Sequence, residues 1–356
     1  MRILVTNNSL AFKSGTSLYA YDICREILRR GHEVVVYSTQ LGGVADMLRQ
    51  ATVPVISDIA ALTFPPDVIF GMHHLETLTA LLQFPGAPCL AFCHGWLPWE
   101  EQPLKFPRIL HYVAVDDLCR ERLLVEHGIP AQRVSTVRNF VDLERFQPRE
   151  PLPARPRRAL ILSNNLTEQR VTPAVRAACE RLDVAVDVRG AEFGAIADAP
   201  ETVLPQYDVV FAKARAALEA MAVGAAVIVC DLWGLGRLVT TENYEELRRF
   251  NFGIRTLNRP ATEATVVGEL ERYDAADAAR VTARVRQEAG LVQAVDELVA
   301  LATNVVTASR DLVSDAREEA RAAAAYVQAL APRSEWIRSL QQQVARLQAA
   351  HQHADA

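Results

Sequence analysis

Along this chain, short runs that are apolar throughout alternate with segments whose apolar residues recur at three-four spacing. Residues 2–7 form the first such run and predict a strand. Gly15-Thr16-Ser17 then offers a flexible turn with hydroxyls suited to capping a helix. Ala20, Ile23, Cys24, Ile27 and Leu28 follow at helical spacing until Gly31 stops the helix. The same rhythm predicts strands at 33–38, 67–70, 88–93, 112–115 and 133–137, with helices at 75–82 and 118–127. Strands that are apolar on both faces and separated by helices imply a parallel sheet covered on both sides, a Rossmann-like unit. Residues 147–158, rich in proline and arginine, break the pattern and read as a linker. The rhythm restarts with strands at 158–162, 184–188, 208–211 and 226–230 and helices at 175–182 and 214–223. After about residue 260 only helical patterns remain, and in the last helix Ile337, Leu340, Val344 and Leu347 keep three-four spacing.

Length fits this division: 356 residues accommodate two domains and an extension. The predicted boundaries are 1–146, a linker at 147–158, 159–305, and a helical extension at 306–356. Two Rossmann-like domains joined in this way enclose a cleft, where open α/β sheets bind ligands. Half the residues are hydrophobic and 23% charged, as in a globular protein with sizeable cores. The net charge of -5 argues against a nucleic-acid partner. The six cysteines are scattered through apolar runs without zinc-ligand spacing, the pattern of reduced core residues, so a cytoplasmic setting is expected. No leader with a cleavage site is read at the N-terminus, and no stretch is read as apolar for the length of a membrane helix.

The order of motifs resembles the family 4 glycosyltransferases, GT-B enzymes that move sugars from nucleotide donors. The opening strand, the Gly15-Thr16 turn and Leu28-Arg29-Arg30-Gly31-His32-Glu33-Val34 resemble that family's first βαβ unit. Pro66-Asp67-Val68-Ile69 and His94-Gly95 continue the series. Gly128-Ile129-Pro130, Arg138-Asn139-Phe140-Val141-Asp142 and Phe146-Gln147-Pro148 resemble its entry into the linker. Leu218-Glu219-Ala220-Met221-Ala222-Val223-Gly224, followed by Val227-Ile228-Val229-Cys230-Asp231, resembles its donor-binding helix and strand. Two departures stand out. The family carries a second glutamate eight positions before Glu219, where this chain has Phe211. In place of the family's diphosphate-binding arginine and lysine stand Ser163-Asn164-Asn165 and then Arg170.

The resemblance implies donor contacts from Glu219 to the ribose, with Asn164, Arg170, Gly15 and Thr16 also on the donor side, and contact of His94 with the transferred sugar. Lys213 and Arg215 precede the same helix, where cations and helix-start amides would hold a diphosphate and oppose its growing charge as it leaves. Trp96 and Trp99 offer flat faces to an acceptor, against a reading of simple packing. His73 and His74, adjacent on a strand end, point apart and are read as structural. No Asp-X-Asp sequence occurs, so no metal is expected in the chemistry; the nucleotide-sugar is a co-substrate and no cofactor is expected. The implied activity is sugar transfer with retention to a saccharide, lipid-linked or small-molecule acceptor, in surface polysaccharide or glycolipid assembly. A catalytically silent GT-B scaffold and a nucleotide-sugar epimerase are the alternatives. The C-terminal helices leave homo-oligomerisation, or a peripheral place at the membrane, open.

Overall fold

The computed structural model describes every residue except 165, 168, 191–192, 195–198, 312–314 and 355–356, and the side chains of 349–354. Seven parallel strands form the first sheet: β1 (Arg2–Thr6), β2 (Glu33–Tyr37), β3 (Val55–Ile56), β4 (Val68–Gly71), β5 (Cys89–Cys93), β6 (Ile109–Ala114) and β7 (Val134–Thr136). Their order is β3-β2-β1-β4-β5-β6-β7. β1 is central and registers Val5 against Val36 on one side and Phe70 on the other. Helices α1 (Gly15–Arg29), α2 (Gly43–Gln50), α3 (His74–Gln83) and α4 (Asp117–Glu121) connect these strands. Alternate residues of β1 enter different cores, Ile3 and Val5 one and Leu4 the other, so both faces of the sheet are buried.

The second sheet has five strands: β8 (Arg158–Leu162), β9 (Ala185–Arg189), β10 (Val209–Ala212), β11 (Ala226–Asp231) and β12 (Gly234–Leu238). Their order is β12-β11-β10-β8-β9, and β12 alone is antiparallel. Helices α5 (Thr172–Arg181), α6 (Pro200–Val203) and α7 (Ala214–Val223) lie among them. Beyond the sheet follow α8 (Tyr244–Arg249), α9 (Glu263–Leu270) and α10 (Ala275–Glu288). This sheet also separates two cores. The architecture is the expected α/β GT-B arrangement of two Rossmann-like domains facing across a cleft.

The chain does not stay in the second domain after α10. At Gly290 it returns to the first, pairing alongside Val141: the Val141 amide donates to the Ala289 carbonyl (2.8 Å) and the Leu291 amide to the Val141 carbonyl (2.9 Å). The following helix, α11 (Leu291–Ser309), places Leu291, Val295, Leu298, Ala302 and Val305 in the first domain's core. Residues 291–305, expected in the second domain, therefore complete the first. The expectation that no segment is apolar enough for a membrane span is also corrected: α11, 19 residues long, is enough by length and composition alone. Its strongly apolar face is the face that the first domain covers. The last helix, α12 (Ala316–Ala354), docks its first turns on the same domain through Arg108–Glu319 (2.7 Å) and Tyr326–His74. Pro332 lies within α12 without ending it, and beyond it Ile337, Leu340, Val344 and Leu347 are exposed.

Candidate functional site

A cleft of about 370 Å³ lies where the carboxyl ends of both sheets meet. Each wall follows from a strand end. The first turns of α1 supply Gly15, Thr16 and Tyr19, and the exit of β5 supplies His94, Gly95 and Trp96. From the second domain, the exit of β10 supplies Lys213, Ala214 and Arg215, and the β11–β12 turn supplies Trp233. The structure thus brings together Gly15, Thr16, His94, Trp96, Lys213 and Arg215.

The first wall is held by a capping box. Ser14 accepts from the Ser17 amide (3.2 Å), and Ser17 accepts from the Ser14 amide (2.8 Å), fixing the start of α1. Gly15 follows the cap, and a Cβ there would meet nothing within 4 Å. Its missing side chain leaves open space at the cleft rather than relieving a clash.

His94 is anchored by its backbone amide, which donates to Glu101 (3.2 Å). Glu101 is itself buried against His73 (3.5 Å). The His94 ring stacks on Phe92 (5.8 Å between centroids) and meets the Tyr19 ring edge to face (4.7 Å). Burial pulls the imidazole down to about 4, so the ring is neutral near pH 7. Its Nε2 is buried and has no hydrogen-bond partner, and the same is true of the Tyr19 hydroxyl. An unmet buried polar atom costs about 1–3 kcal/mol, and two in one cleft mark a place where a polar ligand belongs.

The second wall carries the cations. Lys213 occupies the N-cap of α7 and pairs with Asp231, a fully buried carboxylate that also accepts from Ser163 (2.7 Å). Arg215 holds Glu219 one turn along α7 (2.7 Å) and reaches across the domain boundary to Asp22 of α1. Arg145 approaches the same aspartate (3.4 Å). Burial works against the Arg215 charge, but Asp22 and Glu219 outweigh it and keep the guanidinium firmly protonated. The helix start is strained: Ala214 has φ 48°, a left-handed conformation costing a non-glycine residue roughly 1 kcal/mol or more. Its amide donates to the Phe252 carbonyl (3.0 Å), next to Asn251 and Phe252, which are left-handed as well (φ 52° and 51°).

Other predicted residues lie elsewhere. Glu219 is buried behind the cleft wall and bound by Arg215 rather than presented to a ribose; burial pushes its carboxyl up against the pull of that arginine. Asn164 and Arg170 are exposed and outside the cleft wall. Trp99 faces away: its ring meets His74 (4.4 Å), Arg333 of α12 lies over it (4.8 Å), and its carbonyl accepts from His74 (3.1 Å). His73 and His74 point apart, the first to the Asn8 amide and Glu101, the second to Tyr326 and Trp99. All six cysteines are buried and unpaired. Among the described residues, no group of three or more His, Cys, Asp or Glu is arranged to hold a metal.

Sequence reasoning missed Tyr19, Asp116, Asn251 and Trp233, all of which line the cleft. Tyr19 sits beside the helical apolar series of α1 and reads as core; only its hydroxyl distinguishes it. Trp233 is exposed on a tight turn, where sequence offers no sign of what it faces.

Residues 13–145 match the family model of Glycosyltransferase Family 4. None of the curated proteins matches the chain in sequence. Solved structures do match in fold. A glycosyltransferase from Rickettsia africae superposes with a TM-score of 0.61 at 12% identity, covering 86% of this chain and 98% of that one. Anabaena Alr3699/HepE, solved in complex with UDP-glucose, gives 0.62 at 14% identity, covering 85% and 100%. A Listeria monocytogenes protein described as a UDP-N-acetylglucosamine 2-epimerase gives 0.54 at 14%, covering 88% and 98%. At such identities these likenesses carry the fold and no more.

Proposed function

We propose that this GT-B protein, whose residues 13–145 match the family model of Glycosyltransferase Family 4, moves a sugar from a nucleoside-diphosphate donor to an acceptor hydroxyl. The observation that carries the reading is one cleft holding Lys213 and Arg215 at the start of α7 opposite an unpartnered His94 Nε2. A diphosphate placed there meets two cations and the positive end of a ten-residue helix. Both cations already contact carboxylates, so the diphosphate competes with Asp231 for Lys213 and with Asp22 and Glu219 for Arg215. As the bond from sugar to diphosphate breaks, charge grows on the leaving oxygen and the same cations oppose it. Neutral His94 holds a sugar hydroxyl, and closure of the two domains excludes water.

The family resemblance supports retention of anomeric configuration and chemistry that needs no metal or further cofactor. The UDP-glucose complex of the Anabaena protein makes uridine nucleotides the first donors to try. Trp96 and the exposed Trp233 flank the opening as the acceptor side, for a saccharide or a lipid-linked sugar in surface polysaccharide or glycolipid assembly. Such a role suits a protein in the cytoplasm or at the membrane face.

One observation favours a second reading, a silent nucleotide-binding scaffold: the buried carboxylates beside Lys213 and Arg215 already neutralise both cations. Initial rates of nucleoside-diphosphate release from a nucleotide-sugar panel, with candidate acceptors, decide between them. The transferase reading predicts release that falls about 100-fold or more in Lys213→Ala, the scale of losing one fixed charge at a leaving group. Binding of the nucleotide without release would select the scaffold.

A further inference from the structure

Tyr19 is a large aromatic residue only 3% exposed, yet its hydroxyl has no partner and its side chain lines the cleft. Its ring is locked on three sides, by Phe92 (6.1 Å), His94 (4.7 Å) and Phe140 (4.8 Å). The hydroxyl therefore cannot swing out to water, and it keeps its proton because burial pushes its ionisation upward against the pull of Arg215. Packing alone would be served by phenylalanine, so the hydroxyl adds nothing to the apo fold. His94, its edge-to-face neighbour, leaves Nε2 unpartnered in the same cleft. The first is a fixed donor and acceptor; the second, in a neutral ring, supplies one or the other according to tautomer.

We propose that Tyr19 is a specificity-determining residue: its hydroxyl, beside His94 Nε2, hydrogen-bonds a hydroxyl of the transferred sugar. This inference rests on the donor reading of the cleft and names what the sugar half of the donor meets. The nucleotide half is held by groups of the second domain, so the two halves are separable by mutation. Loss of the Tyr19 hydroxyl removes the interaction with the sugar and leaves the nucleoside diphosphate alone.

The test compares wild type with Tyr19→Phe by calorimetric titration with UDP and UDP-glucose, extended to GDP, ADP and TDP with their hexose conjugates. For the nucleotide series that binds, the affinity ratio of conjugate to bare diphosphate isolates the sugar. The inference predicts that this ratio falls roughly 3- to 10-fold in Tyr19→Phe, the scale of one neutral hydrogen bond, while bare-diphosphate affinity is unchanged. It also predicts that ligand-free Tyr19→Phe melts no lower than wild type, because an unmet buried hydroxyl is removed. An unchanged ratio, or equal weakening of conjugate and bare diphosphate, overturns the inference and leaves the donor reading standing. A lower ligand-free melting temperature assigns the hydroxyl to the fold and overturns it as well. Failure of every nucleotide to bind wild type instead brings down the donor reading, and this inference with it.

Discussion

At the scale of single residues, the sharpest feature is a histidine kept neutral by its surroundings. His94 is stacked, buried at Nε2 and drawn down to about 4, whereas the unfolded chain titrates near 6.5. Above 6.5 both states are neutral and His94 contributes no pH dependence. As pH falls from 6.5 to 4 the unfolded state takes up a proton that the folded state does not, so stability declines across this window. Below 4 the two states again carry the same charge and the decline ends. His94→Gln should show a smaller fall in melting temperature between pH 6.5 and 4 than wild type; equal falls would mean the ring is protonated in the folded protein.

At the scale of elements, α7 and α1 are joined by a buried charge cluster rather than by apolar packing alone. Arg215 projects from α7 to bind both Glu219 on its own helix and Asp22 of α1, and removing it leaves buried Glu219 without its partner and Asp22 with Arg145 alone. Arg215→Leu should cost about 3–5 kcal/mol in denaturant unfolding. Adding Asp22→Asn and Glu219→Gln should recover most of that loss without restoring nucleotide affinity. Recovery of affinity as well would show that Arg215 serves the fold and not the ligand.

The same cluster shows what was legible in the sequence. The start of α7 was, because Lys213, Arg215 and Glu219 lie within one local stretch whose strand–helix rhythm fixes their spacing. Arg215's reach to α1 was not, because Asp22 comes 193 residues before it and no periodicity links them. The apolar runs foretold the strands of both sheets except the edge strands β3 and β12, since the central strands are buried on both faces. The return of the chain at Gly290 was hidden, because the apolar stripe of α11 fits either domain equally well. Trp99 misled for a related reason: an aromatic near a strand end can turn to the cleft or to α12, and here Arg333 and His74 draw it outward.

At the scale of the whole molecule, two strands of chain cross side by side at Val141 and Gly290, a natural pivot for opening. Across the cleft the domains also touch through surface pairs, Arg249–Asp117 (2.8 Å) and Arg255–Glu121. Exposed pairs of this kind contribute about 0–1 kcal/mol each, a light latch for a cleft that must admit ligand. The outer part of α12 adds little to either domain, since Trp336, Ile337, Val344 and Leu347 are at least half exposed. Deleting residues 334–356 should leave the melting temperature within about 1 °C, as surface changes away from packed features alter stability little. A large drop would show that this segment packs on a partner surface in solution.

Whether the interdomain cleft takes a nucleotide-sugar is decided by a thermal-shift panel of UDP, GDP, ADP and TDP sugars on wild type and Gly15→Trp. A Cβ at position 15 meets nothing within 4 Å and the position lines the cleft, so a tryptophan there is expected to fill it. One nucleotide series should stabilise the wild type, by about 2.7 kcal/mol at a hundredfold excess over Kd, and leave the melting temperature of Gly15→Trp unmoved. No stabilisation by any series at millimolar concentration, or equal stabilisation of both proteins, would contradict the donor reading of the cleft.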